Sequence, residues 1–287
     1  MCAESGLNTL RLAIAVGRYG HASRRLGSPV RQQEAAAQGL YQQLTAVQQD
    51  DIECEMRTMQ AAGIGALIIG QEGYPVILES LRQAPRVLFY RGDRQLLGMR
   101  SMGICGSREA TSQGLSAAQA CGEEIAECDL VVVSGYARGV DTAAHSAALD
   151  TGGRTVMVLA EGIRRFKIKR WLASKVYDPH QVAVVSQFAP SQAWSVGAAM
   201  TRNSVIIGLS LGLVVIEARE TGGTLAAGLR ALDEKRPVLA LEFRKDMPQG
   251  NKILLDQGAI PVRSRSELRE RLQQLRNGTH PGQLTLM

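Results

Sequence analysis

Three glycine-rich turns carry the residues of this chain whose types and spacing suit chemistry with anions. The first is Gly106-Ser107-Arg108, the second is Ser134-Gly135-Tyr136-Ala137-Arg138-Gly139, and the third is Thr221-Gly222-Gly223-Thr224. Each offers backbone N–H groups that no bulky side chain shields and a hydroxyl close by, and the first two add a guanidinium. That is the donor set a phosphate oxygen needs. No turn sets a nucleophile beside a base, so no catalytic residue is assigned and no cofactor is expected. Asp141 and His145 are spaced i, i+4 on one expected helix. They suit either an acid–base pair or a structural hydrogen bond that steadies the turn. The histidines, His21, His145, His180 and His280, are too few and scattered for a metal cluster.

The elements that must position these turns can be read on either side of them. Residues 102–105 and 129–133 are short apolar runs without alternation, as strands buried on both faces are, and they read as neighbouring parallel strands. Between them Leu115, Ala118, Gly122 and Ile125 form one helical stripe, and after them Val140, Ala143, Ala144, Ala147 and Ala148 form another. Each strand therefore ends in a glycine turn that opens a helix. In an open parallel sheet ligands bind along that carboxyl edge, where helix N-termini favour negative charge. Residues 154–160, 182–188, 213–217 and 238–242 read as further strands, and Leu225, Gly228, Leu229 and Leu232 share one side of the helix after the third turn. The fold class is α/β, a Rossmann-like, mostly parallel sheet with helices on both faces.

Residues 1–64 contain no convincing strand and form a small helical N-terminal segment. One short helix is expected over 7–16, and good helix formers without proline run through 31–62 to Gly63 and Gly65. The Rossmann-like domain then occupies 65–276, entered through a turn, a short helix and a strand over 72–93, and 277–287 is a polar tail. Arg11, Arg18, Arg24, Arg25 and Arg31 make either a basic face or scattered surface charge. Residues 164–171, Arg-Arg-Phe-Lys-Ile-Lys-Arg-Trp, suit a helix that either faces nucleic acid or buries Phe166, Trp171 and Leu172 in the core.

With 33 Lys and Arg against 27 Asp and Glu, the 287-residue chain carries a net charge of +6. That permits a polyanionic partner without naming one. Five cysteines, an odd number with no close paired spacing, fit free thiols in a reducing compartment better than disulfides or zinc. The first residues lack the plan of a signal peptide, and no run approaches the roughly 18 apolar residues of a membrane span. A cytoplasmic protein with no membrane contact is expected.

Several of these stretches resemble one known family. Gly106-Ser107-Arg108 with Gly114 behind it, the run from Ser134 to His145, and the Tyr74-Pro75…Ala84-Pro85…Leu88-Phe89…Gly92-Asp93 pattern are similar to the DprA/Smf family of DNA-processing proteins. Residues 200–210, the third turn and residues 250–259 continue the likeness, which spans about 72–262. The resemblance implies a Rossmann-like core that binds single-stranded DNA, protects it and assists RecA loading in recombination or natural transformation, as a homodimer. By that resemblance Arg108, Arg138, Arg202 and Lys252 take phosphates as cations. Ser107, Gly139, Asn203, Gly222, Gly223 and Thr224 supply neutral donors, and Gly106 and Thr221 are phosphate-binding residues with them. Arg202 and Asn203 are expected at the start of their helix.

The chain departs from the family pattern in the loop at 160–170, at Ser204 where the family has a second arginine, and at Glu242, which would repel phosphate unless it faces away or pairs with Arg244. The winged-helix module that some members carry after the core is not expected. Two other readings stay open: a nucleotide-sensing or interaction subunit, for instance in phage defence, and a LOG-like nucleoside monophosphate phosphoribohydrolase, with Glu161, Glu217 or Glu220 standing in for its catalytic glutamate.

Overall fold

The computed structural model describes residues 2–20, 32–81, 83–175 and 178–278. Three helices come first, α1 (Cys2–Tyr19), α2 (Gln33–Gln42) and α3 (Ala46–Ala61), followed by β1 (Ile64–Ile68), α4 (Val76–Glu79) and β2 (Val87–Gly92). The alternating part runs β3 (Ser101–Cys105), α5 (Ser112–Glu127), β4 (Val131–Gly135), α6 (Val140–Asp150), β5 (Arg154–Val158), α7 (Arg170–Ala173) and β6 (Val182–Ser186). It ends with α8 (Val196–Leu209), β7 (Leu213–Val215), α9 (Gly223–Asp233), β8 (Val238–Leu241), α10 (Gln249–Asp256), β9 (Ile260–Val262) and α11 (Arg265–Arg276).

All the strands join one sheet in the order β1-β2-β6-β5-β4-β3-β7-β8-β9. β1 pairs antiparallel with β2 and β2 antiparallel with β6, and every other pair is parallel. The parallel part starts in the middle at β3, steps outward to β6, then returns to lay β7 on the other side of β3. Between β3 and β7 the direction of winding reverses, and an open α/β sheet leaves its ligand crevice at that point. This is the Rossmann-like architecture the sequence predicts.

Successive residues of the central strands serve opposite cores, which is why their sequences show no alternation. Val131 and Val133 join Val205 and Ile206 of α8 in one cluster, whereas Leu130 and Val132 join Ala118 and Ile125 of α5 and Val140 and Ala144 of α6 in another. Leu12 and Ile14 of α1 and Ile52 and Met59 of α3 pack with Ile68, Phe89, Met157 and Val184, so the N-terminal helices cover the β1-β2-β6-β5 half of one sheet face. Each such side chain contributes about 1.5–3 kcal/mol by leaving water.

Two expectations change and one open reading is decided. The helix expected over 31–62 is two, because Thr45 starts α3 with a capping box: its hydroxyl accepts from the Gln48 N–H and the Gln48 side chain accepts from the Thr45 N–H. Residues 164–171 are not one helix, since a single 3-10 turn at Ile163–Arg165 gives way to extended chain before α7. Arg11 pairs with Glu53 and Arg18 with Glu55, so these two arginines tie α1 to α3 and form no free basic face. Arg24, Arg25, Arg31, His21, His280 and residues 279–287 of the tail lie outside the described residues. Among the described residues, no helix is long and apolar enough to cross a membrane.

Candidate nucleic-acid interface

The carboxyl ends of β3, β4 and β7 deliver the three glycine turns to one place. They line a single cleft of about 460 Å3 over the point where the winding reverses. Two of the turns interlock. A Cβ at Gly106 would strike the Val140 side chain, and one at Gly139 would lie 2.5 Å from the Ser107 carbonyl oxygen. Gly139 itself has φ +78, in the region that favours glycine, and the Val140 N–H donates to Ser107 O at 3.2 Å. Thr111 caps α5, and its own N–H donates to the Glu217 carboxylate at 3.0 Å. The loop after β7 is thereby tied to the loop after β3. Asn251, wholly buried, fastens the same region: it accepts from Ala218 N–H and donates to Ile216 O and Leu241 O, each at 2.8 Å.

Charge in the cleft is mixed and ordered. At the mouth, exposed Glu109 accepts from Arg138 at 2.8 Å and from Arg219 at 2.7 Å. The Arg219 hydrogen bond, aided by Arg138, holds the Glu109 carboxyl below the usual carboxylate range. At the floor, Arg202 is only 7% exposed and donates to Val158 O at 2.6 Å. Burial pulls its pKa down, opposed by the charge of Asp141. Burial pushes the Asp141 carboxyl up, with Arg202 opposing, and Ala137 N–H donates to it at 3.3 Å. Arg108 lies with its guanidinium 5.3 Å from the centre of the Trp194 ring.

The family model for DNA recombination-mediator protein A matches residues 65–273. The chain belongs to that family. It is 34% identical over 193 residues to the DNA processing protein DprA of Streptococcus pneumoniae, covering 67% of this chain and 68% of that one. It is 29% identical over 275 residues to protein Smf of Escherichia coli K12, covering 93% and 71%. The crystal structure of Streptococcus pneumoniae DprA superposes with a TM-score of 0.68 at 27% identity over 93% of this chain and 94% of that one. A DprA structure from Helicobacter pylori, described for its single-stranded DNA binding mode, shares the fold at a TM-score of 0.64 and 22% identity, over 76% of this chain and 97% of that one.

In this recombination-mediator member a second cleft, about 740 Å3, adjoins the first and shares Arg108, Arg138, Arg202 and Trp194 with it. It is lined further by Arg164, Arg165, Lys167 and Lys169, with Glu161 as its carboxylate. Arg164 reaches Glu55 at 2.8 Å, and Lys169 packs over the Tyr136 ring at 4.2 Å while its amide donates to the Tyr136 hydroxyl at 2.8 Å. Phe166 and Trp171 turn inward and pack with Tyr136, so of the two readings of 164–171 the core one holds for these rings.

Of the residues singled out in the sequence, Gly106, Ser107, Arg108, Arg138, Arg202, Asn203, Thr221, Gly222, Gly223 and Thr224 line the first cleft. Gly139 and Lys252 do not. Gly139 is a keystone behind the cleft, and Lys252 is exposed on α10, outside both clefts. Arg202 and Asn203 do not start their helix, because Ser195 caps α8 well before them. Arg202 is therefore a buried strut, and Asn203 donates to Gly223 O at 3.3 Å, tying α8 to the third turn. Ser204 is buried and its hydroxyl donates to Thr201 O at 2.5 Å, and Glu242 pairs with Arg263 at 2.9 Å in place of Arg244. Asp141 and His145 do not pair. His145 Nε2 donates to Gly135 O at 2.9 Å, which leaves Nδ1 to accept from the Thr155 hydroxyl at 2.6 Å. Sequence reasoning missed Glu109, Arg219, Trp194 and Asn251. Only Trp194, one of two tryptophans and set in a loop, carried any signal.

Proposed function

We propose that this chain binds single-stranded DNA without sequence preference along the carboxyl edge of its sheet. One observation supports this above the rest: three glycine turns from separate strands meet at one cleft, with Arg108 and Arg138 on its exposed rim. Cations with fixed backbone donors track a phosphate chain whatever its bases are. The Helicobacter pylori relative, described for its single-stranded DNA binding mode, agrees with this reading.

The proposal is binding and not bond cleavage. Glu217, a candidate for a hydrolase glutamate, is engaged by Thr111, and His145 is wholly buried. By resemblance the bound strand is protected and handed to RecA in the cytoplasm, and a homodimer lengthens the track.

Fluorescence anisotropy with labelled oligo-dT, duplex DNA and a nucleoside monophosphate over a salt series tests the proposal. Tight binding of oligo-dT that weakens with salt is expected. Arg108→Ala or Arg138→Ala should weaken binding equally across sequences and lower the salt slope by about 0.7–1. Salt-independent binding, or release of free base from the monophosphate, would overturn it.

A further inference from the structure

The two clefts abut, and the wall they share carries an aromatic ring that no phosphate contact requires. Trp194 stands in the loop ahead of α8, is 46% exposed and lines both clefts. The other rings near the second cleft, Tyr136, Phe166 and Trp171, are partly buried and packed on one another. Arg108, which also lines both clefts, holds its guanidinium over the indole. An arginine able to contact phosphate and an exposed indole thus form one composite surface between a cleft of mixed charge and a basic one.

We propose that Trp194 is a nucleobase platform: a bound single strand crosses from one cleft to the other over the Arg108–Trp194 pair, with a base stacked on the indole. This rests on the single-strand reading above and adds to it a source of strand-type selectivity. Cations grip duplex and single strand alike, because both present phosphates. An indole can accept a base only where that base is not already stacked within a helix, and every base has a π-face to offer. The guanidinium over the ring adds a cation–π contact that holds the indole in place. The platform thus favours single strands over duplex without favouring any sequence.

The test uses the full-length chain with two probes of equal length, oligo-dT and an oligonucleotide of abasic sites, which keeps the phosphates and removes the bases. Oligo-dT should quench tryptophan emission in the wild type and in Trp171→Phe, and not in Trp194→Phe. Trp194→Ala should weaken oligo-dT binding about ten-fold, the scale of one lost base–aromatic stack. Its salt slope, its affinity for the abasic probe and its affinity for duplex should stay as in the wild type, and Trp194→Phe should recover most of the lost affinity. If Trp194→Ala binds oligo-dT as the wild type does, or loses affinity for the abasic probe to the same degree, the platform is refuted and the single-strand reading stands. If the wild type binds neither probe, both fall together.

Discussion

Gly139→Ala tests whether the first two turns are held in register by their interlock. The backbone at Gly139, φ +78 and ψ −129, is one that residues with side chains adopt only at a cost of about 1–3 kcal/mol. A Cβ would also sit 2.5 Å from Ser107 O and 2.8 Å from Arg108 O. Overpacking of that kind adds about 1–3 kcal/mol. A combined loss of about 4 kcal/mol lowers Tm by roughly 8–16 °C, at about 2–4 °C per kcal/mol for a chain of this size. Gly152→Ala is the control, because Gly152 has φ +74 but nothing within 4 Å of an added Cβ. It should lose only the conformational part, about 1–2 kcal/mol. Thermal unfolding followed by circular dichroism gives the stabilities, and oligo-dT anisotropy well below both transitions gives the binding. Gly139→Ala should be the less stable variant and should also bind more weakly, because relief of the overlap displaces Arg108 relative to Arg138. Equal stabilities, or wild-type affinity in Gly139→Ala, would refute the interlock.

Glu109→Gln removes the carboxylate that Arg138 and Arg219 share. Oligo-dT affinity at low salt should rise, and the salt slope should steepen by about 0.7 for each phosphate newly engaged; an unchanged slope in a salt titration would contradict this. Burial pushes the His145 pKa down to about 4, below its ordinary value of about 6.5. As pH falls, the unfolded chain therefore takes up the proton first, so the contribution of His145 to stability is complete above its ordinary pKa and lost on the way down to pH 4. The loss amounts to about 3 kcal/mol. Urea unfolding at a series of pH values should show it, and His145→Gln should flatten it.

Strands buried on both faces leave unbroken apolar runs, and glycine turns after β3, β4 and β7 mark the carboxyl edge, so β3 to β8 and the three turns are legible in the sequence. Where the chain folds back on itself, legibility ends. α8 begins at Val196 because Ser195 caps it, which moves Arg202 from a helix start to a buried position under two clefts. At the sheet's far end Lys252 lies outside both clefts, and neutral Asn251 beside it makes three hydrogen bonds that exist only because β7 and β8 end side by side. Glu109 and Arg219 are 110 positions apart, and nothing local in the sequence announces that they meet. Trp194 acquires a meaning only once two clefts are seen to share a wall.

α5 and α6 cross where Gly122 meets the Ala144 carbonyl oxygen, a contact with no room for a methyl group. Two rods bolted at mid-length cannot swing their tips apart one at a time. That contact fixes the spacing of the helix starts beneath the first two turns within the fold itself. On the single-strand proposal, a groove set in advance leaves the ordering cost of capture to the floppy polynucleotide.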